Sequence, residues 1–298
     1  MATPASPITA SSPAPRRGSL AWRRQLARLG VLVGAVYGCW CGGLWLAQGT
    51  LVFPRHVIPP HATDPVPGAT QLAITTEGGL LVPAILLVPP RREPGQRFPL
   101  VVWCHGNAET VDQAVHLDEV QVYLRHRMAV LLPEYRGYGR AAGSPSQAAI
   151  SDDLTRFYDL AIAREEIDPA RVAFFGRSLG GAVAVQLAAL RKPRALVLQS
   201  TFTSITSFAN GYGVPGFIVS SPFRTDRVLP TLSVPLLIMH GDRDTIVPVW
   251  HGRHLRELVP AAEYFEQPAD HLDFPSDFGE YEGWVIGFLE RAGVVPGP

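Results

Sequence analysis

A chain of 298 residues, 47% hydrophobic and 17% charged, is long enough to bury one sizeable core and too apolar for a disordered protein. Its 26 Lys and Arg balance 26 Asp and Glu, which gives no reason to expect nucleic acid or a strongly acidic partner. Three cysteines, Cys39, Cys41 and Cys104, allow no disulfide framework, and Cys104 at a predicted strand end reads as a buried, inert thiol.

Residues 1–28 are rich in Pro, Ser and Ala and then basic, with Arg16, Arg17, Arg23, Arg24 and Arg28, which predicts a disordered tail. Residues 29–53 carry no charge and suffice for one membrane-spanning helix. Five arginines precede this stretch and only Arg55 closely follows it, which predicts a cytoplasmic N-terminus and a body on the far side, periplasmic in a bacterium. A cleaved signal peptide is the rival reading, but the apolar run is long for one and Trp45 spoils the cleavage pattern ending at Ala47. Gly30, Gly34, Gly38 and Gly42 recur every fourth residue and so line one side of the helix. Such grooves let membrane helices approach closely, which makes a homodimer one expectation; frequent glycine in membrane helices is the plainer explanation.

Residues 54–70 read as a Pro-rich linker, and residues 71–298 as one domain of alternating strands and helices. A hairpin is predicted over 71–76 and 80–88 around Gly78-Gly79, then strands over 100–104 and 128–133. Further strands are predicted at 172–175, 195–199, 235–240 and 263–266. Helices are predicted over 111–127, 148–166, 182–190, 249–258 and 278–291. Continuous apolar strands between helices predict a mostly parallel sheet covered on both faces.

One stretch organises the rest: Arg171-Val-Ala-Phe-Phe-Gly-Arg-Ser-Leu-Gly-Gly181. An apolar run stops at Gly176, Ser178 stands between Gly176 and Gly180, and an Ala/Val/Leu helix follows. This is G-x-S-x-G on a tight strand-to-helix turn, where side chains two residues either side of a nucleophile would collide. The helix N-terminus faces the serine, and the Leu179 N–H is placed to serve an oxyanion. A serine hydroxyl needs a base and a group that orients the base. After Ser178 the strand 235–240 ends in Gly241-Asp242-Arg243-Asp244, and the last strand is followed by Pro268-Ala-Asp-His271. The order Ser178, an Asp, then His271 suits an α/β sheet with its site at the strand ends. Asp270 and Asp273 read as loop residues, and His251 and His254 as a solvated helix face. No metal-ligand spacing or nucleotide loop is seen, so neither metal nor cofactor is expected.

His105-Gly-Asn-Ala108, Glu134-Tyr-Arg-Gly-Tyr-Gly139, Gly176-Arg-Ser-Leu-Gly-Gly181, His240-Gly-Asp-Arg-Asp-Thr-Ile-Val-Pro248 and His271 together resemble the α/β-hydrolase superfamily. Within it they are most similar to the membrane-anchored Bem46-like, abhydrolase-domain branch with an His-Gly-Asn oxyanion loop. The resemblance implies an α/β-hydrolase fold and a serine hydrolase of carboxylic esters or thioesters. It aligns Asp244 with the triad acid, Asp242 being the alternative, and makes Asn107 the second oxyanion donor through its backbone N–H, with Ala108 a near alternative. Glu134 departs from the aspartate usual there. Phe202, Phe208, Tyr212 and Phe217, in the segment before residue 235, are candidates to line a pocket for a small-molecule or lipid acyl group. A prolyl-oligopeptidase-like peptidase and a non-catalytic membrane scaffold are the alternative functions.

Overall fold

The computed structural model describes residues 18–55, 68–91 and 93–295. It divides into two compact units, with the boundary between Leu46 and Ala47. Helix α1, Gly18–Val52, makes up the described part of the first unit and runs six residues into the second. It is the one helix among the described residues long and apolar enough to cross a membrane, with a mean hydropathy of 1.6 over its most apolar window and none of that window buried. The disordered tail expected through residue 28 is corrected here, because residues 18–28 are helical. No proline follows Pro15 until Pro54, and Ala, Leu, Gln and Arg dominate this turn, all good helix formers. The rest of the expected tail, residues 1–17, and most of the expected linker, residues 56–67, lie outside the described residues.

The second unit is built on an eight-stranded sheet. Its strands are β1 (Ala69–Thr75), β2 (Leu81–Leu87), β3 (Phe98–Cys104), β4 (Ala129–Pro133), β5 (Ile167–Arg177), β6 (Ala195–Gln199), β7 (Leu236–Gly241) and β8 (Glu263–Gln267). Their order is β1-β2-β4-β3-β5-β6-β7-β8. Only β1 with β2 and β2 with β4 are antiparallel. The opening hairpin turns where Gly79 sits at φ 73°.

Helices cover both faces, the four-residue α7 (Thr225–Val228) being among the shortest. Leu100, Val102 and Cys104 of β3 belong to one core, with Leu154 and Phe157 of α4 (Gln147–Ile162) and Leu187 of α5 (Leu179–Leu190). Val101 and Trp103 point the other way, into a core with Val120 and Tyr123 of α3 (Asp118–Arg125) and Val285 and Leu289 of α9 (Phe278–Arg291). Period-two alternation therefore survives inside β3 although every residue of it is buried. The single helix expected over 111–127 is instead α2 (Val111–Ala114) and α3. A Thr110–Gln113 capping box closes the first turn, Leu117 is extended, and Asp118 and Glu119 open a new helix where acidic groups favour its N-terminus.

The topology fixes where a site can lie. From β3 the chain goes to β4 on one side, then returns past β3 to β5 on the other. β3 and β5 are neighbours, with Cys104 opposite Gly176. Loops leaving these two strand ends diverge to opposite faces, opening the crevice that such sheets use for ligands.

Candidate active site

Ser178 follows β5 directly and caps α5 with φ 53° and ψ −118°, a conformation a non-glycine residue holds only when its surroundings dictate it. Those surroundings are crowded backbone. A Cβ on Gly176 would strike the Gly180 carbonyl, one on Gly180 the carbonyls of Cys104 and His105, and one on Gly181 the side chain of Thr201. The turn is also tied down: Ser178 N–H donates to the Gln199 carbonyl at 2.9 Å and Thr201 Oγ1 to the Ser178 carbonyl at 2.7 Å. Leu179 is the first residue of α5, so its N–H is one that no intrahelical carbonyl satisfies.

His271 stands in the loop after β8, 9% exposed, with its Nδ1 2.6 Å from Asp244 Oδ2. An ionised carboxylate only accepts, so Nδ1 carries a proton and Nε2 is left as the basic nitrogen. Asp244 Oδ1 accepts from Ile246 N–H at 3.0 Å and Val247 N–H at 2.7 Å. His240 donates through Nε2 to the Val247 carbonyl at 2.7 Å and lies 3.4 Å from Asp244 Oδ2. Burial alone would raise the Asp244 carboxyl, but the bonds from His240, His271 and Val247 outweigh it and hold the group well below the usual carboxylate range. Asp242, the alternative acid, is exposed, and its backbone N–H, not its side chain, makes the strand-end bond, to Gln267. Asp270 braces the loop, accepting from Thr245 N–H at 3.0 Å and His271 N–H at 2.7 Å.

Asn107 lies three residues past the end of β3, half-buried, and Ala108 beside it sits at φ 59°. Two carboxylates hold this loop: Glu109, which sequence reasoning did not single out, and Glu134, which it noted only as a departure from the usual aspartate. Glu109 accepts from Gly106 N–H at 2.7 Å and pairs with Arg177, the residue before Ser178. Glu134 Oε1 is 3.0 Å from His105 Nε2, and Oε2 accepts from Val111 N–H at 3.2 Å. One carboxylate thus spans the loop after β3 and the start of α2. Arg177 and Glu134 lie far from this loop in sequence, and no local signature ties them to it.

Two sequence expectations are corrected. His251, in α8 (Trp250–Leu258), is buried, not on a solvated face: its Nδ1 lies 3.0 Å from Thr203 Oγ1 and its ring stacks on Trp250 at 3.7 Å. Nor do the four aromatic candidates line one pocket. Phe202 is buried in the core and packs edge-on against half-buried Phe208, while Tyr212 and Phe217 are 69% and 88% exposed. The latter two stand at and beyond the end of α6 (Ile205–Gly211), a short surface helix with no buried residue. Among the described residues no His, Cys, Asp and Glu cluster is arranged to hold a metal ion.

Residues 99–218 match the family model described as alpha/beta hydrolase fold. An uncharacterised protein of Mycobacterium tuberculosis is 31% identical over 225 residues, covering 74% of this chain and 77% of that protein. The alpha/beta hydrolase domain-containing protein WAV2 of Arabidopsis thaliana is 32% identical over 223 residues, covering 66% and 72%. A solved esterase of Pyrococcus furiosus superposes with a TM-score of 0.62 at 18% identity, over 79% of this chain and 97% of that one.

Proposed function

This chain belongs to the α/β-hydrolase superfamily, and from that premise we propose that it is a membrane-anchored serine hydrolase of carboxylic esters or thioesters. The observation that carries the reading is the buried Asp244–His271 pair at 2.6 Å, in the same unit as a serine on a strained, glycine-framed turn. Ser178 attacks the acyl carbon as His271 Nε2 takes its proton, and Asp244 fixes the tautomer and stabilises the imidazolium. The amides of Leu179 and Asn107 receive the charge developing on the carbonyl oxygen. His271 then protonates the departing alkoxide or thiolate, and water, activated by the same imidazole, releases the acid from the acyl-enzyme. Exposed Ile246 and Leu272, two and one residues from Asp244 and His271, support an apolar acyl group over a charged substrate.

The placement is part of the same proposal. Helix α1 spans the bilayer with its arginine-rich end, which includes Arg23, Arg24 and Arg28, on the cytoplasmic side and the hydrolase unit on the other. Hydrolysis of p-nitrophenyl esters of graded chain length by the full-length protein in detergent tests the activity. Ser178→Ala should lower turnover by about 10⁶-fold with the fold retained; equal hydrolysis by the variant would refute the assignment.

A further inference from the structure

The end of the apolar helix is built into the hydrolase unit. Gln48 Oε1 accepts from Ser220 N–H at 2.8 Å and Ser220 Oγ at 3.0 Å. Phe53 is 2% exposed and meets Phe223 edge-on, with ring centroids 6.3 Å apart. Arg55 donates to the Gly143 carbonyl at 2.9 Å. Between these contacts the Val52 carbonyl, at the very end of α1, accepts from Asn107 Nδ2 at 2.8 Å. A helix leaves its last four carbonyls without intrahelical partners, and here one of them is matched by a side chain of the oxyanion loop.

The other end of the Asn107 amide is held as well, since Tyr138 Oη donates to Asn107 Oδ1 at 2.5 Å. With both amide atoms bound, the side chain has one orientation, and the backbone of Asn107 is fixed with it. The loop needs such a hold, because Ala108 at φ 59° is in a conformation that alanine adopts only under constraint. On the reading that the Asn107 N–H serves the oxyanion, which this inference takes as its basis, we propose that Val52 and Phe53 are positioning residues for the oxyanion loop. Phe53 pins the chain in the core, the pinned chain holds the Val52 carbonyl, and that carbonyl holds Asn107. The last residues of α1, which fold within the hydrolase unit, are then a structural part of the active site.

A carbonyl cannot be deleted by changing its own side chain, so the test works from both sides of the bond. Full-length protein in detergent micelles is assayed with p-nitrophenyl butyrate as Asn107→Ala, which keeps the backbone N–H, as Phe53→Ala, and as the two combined. Misplacement of a catalytic group by about 1 Å costs up to about 10²-fold. Each single variant should therefore lose about 10- to 100-fold in kcat with KM changed by about twofold or less. The double variant should be no slower than Asn107→Ala alone, because both act through one bond. Phe53→Leu, which refills the core, should restore most of kcat. If Phe53→Ala does not fold, Phe53→Val takes its place with the same non-additivity expected.

Multiplied losses in the double variant, or wild-type kcat in either single variant while Ser178→Ala is inactive, would overturn the positioning role and leave the hydrolase reading standing. An active Ser178→Ala would remove that reading and this inference with it.

Discussion

Asp244 and Asp242 are two residues apart and have opposite environments. Asp244 is buried under four donors, and Asp242 faces solvent 3.8 Å from Arg243. Asp244→Asn should leave His271 with the wrong tautomer and cut kcat by about 10⁴-fold. Asp242→Asn should leave kcat unchanged and alter stability by about 0.5 kcal/mol or less, as exposed substitutions do. Steady-state kinetics and thermal melts of the pair check both statements. His251 carries a separate prediction in pH. Burial, with a smaller push from His240, lowers its value from about 6.5 to about 4. Between those values the unfolded chain binds the proton and the folded chain does not, so stability rises with pH across that window. The contribution is complete above about pH 6.5 and is lost as the pH falls toward 4. Melting temperature should drop over that interval, and His251→Asn, which keeps an acceptor for Thr203, should flatten the slope. The sequence left Asp242 open beside Asp244 and read His251 as solvated, because local spacing does not report burial. The residues behind α8 come from the Thr203 and Phe208 segment, about fifty positions earlier, and no helical pattern reveals them.

At the scale of elements, the strand-to-helix turn around Ser178 was legible because its cause is local: three glycines sit where any Cβ would meet backbone or Thr201. The His105–Ala108 loop was legible only as a motif. What holds it is assembled from α1, the end of β4 and the residue before Ser178, brought together by topology alone. The end of α1 shows the same limit. Composition separates an apolar helix from a Pro-rich linker at Phe53, yet the physical boundary lies earlier, since Phe53 fills a core position. Removing a buried Phe side chain costs about 3–5 kcal/mol. A chain beginning at Ala47 should therefore melt well above one beginning at Pro54, with the difference in unfolding free energy at least of that size. Denaturant titration of the two chains measures it; equal stabilities would mean that Phe53 contributes nothing to the core.

For the molecule as a whole, the alternation of apolar strands and helices carried the parallel sheet and its two covered faces, because that pattern is the direct signature of strands buried on both sides. Strand order was not legible, since pairing between distant segments leaves no mark on either one. Yet it is the order that matters for chemistry. The reversal at β3 and β5 brings the Asn107 loop and Ser178 to neighbouring strand ends, with Asp244 and His271 arriving from β7 and β8. The proposed chemistry requires Ser178 to be the nucleophile of this arrangement. Reacting the full-length protein with a fluorophosphonate and mapping the adduct by peptide mass spectrometry tests it most directly. A single adduct on Ser178, absent after Ser178→Ala and much slower to form after His271→Ala, is the predicted result; an adduct on another residue, or none with a folded protein that hydrolyses esters, would contradict it.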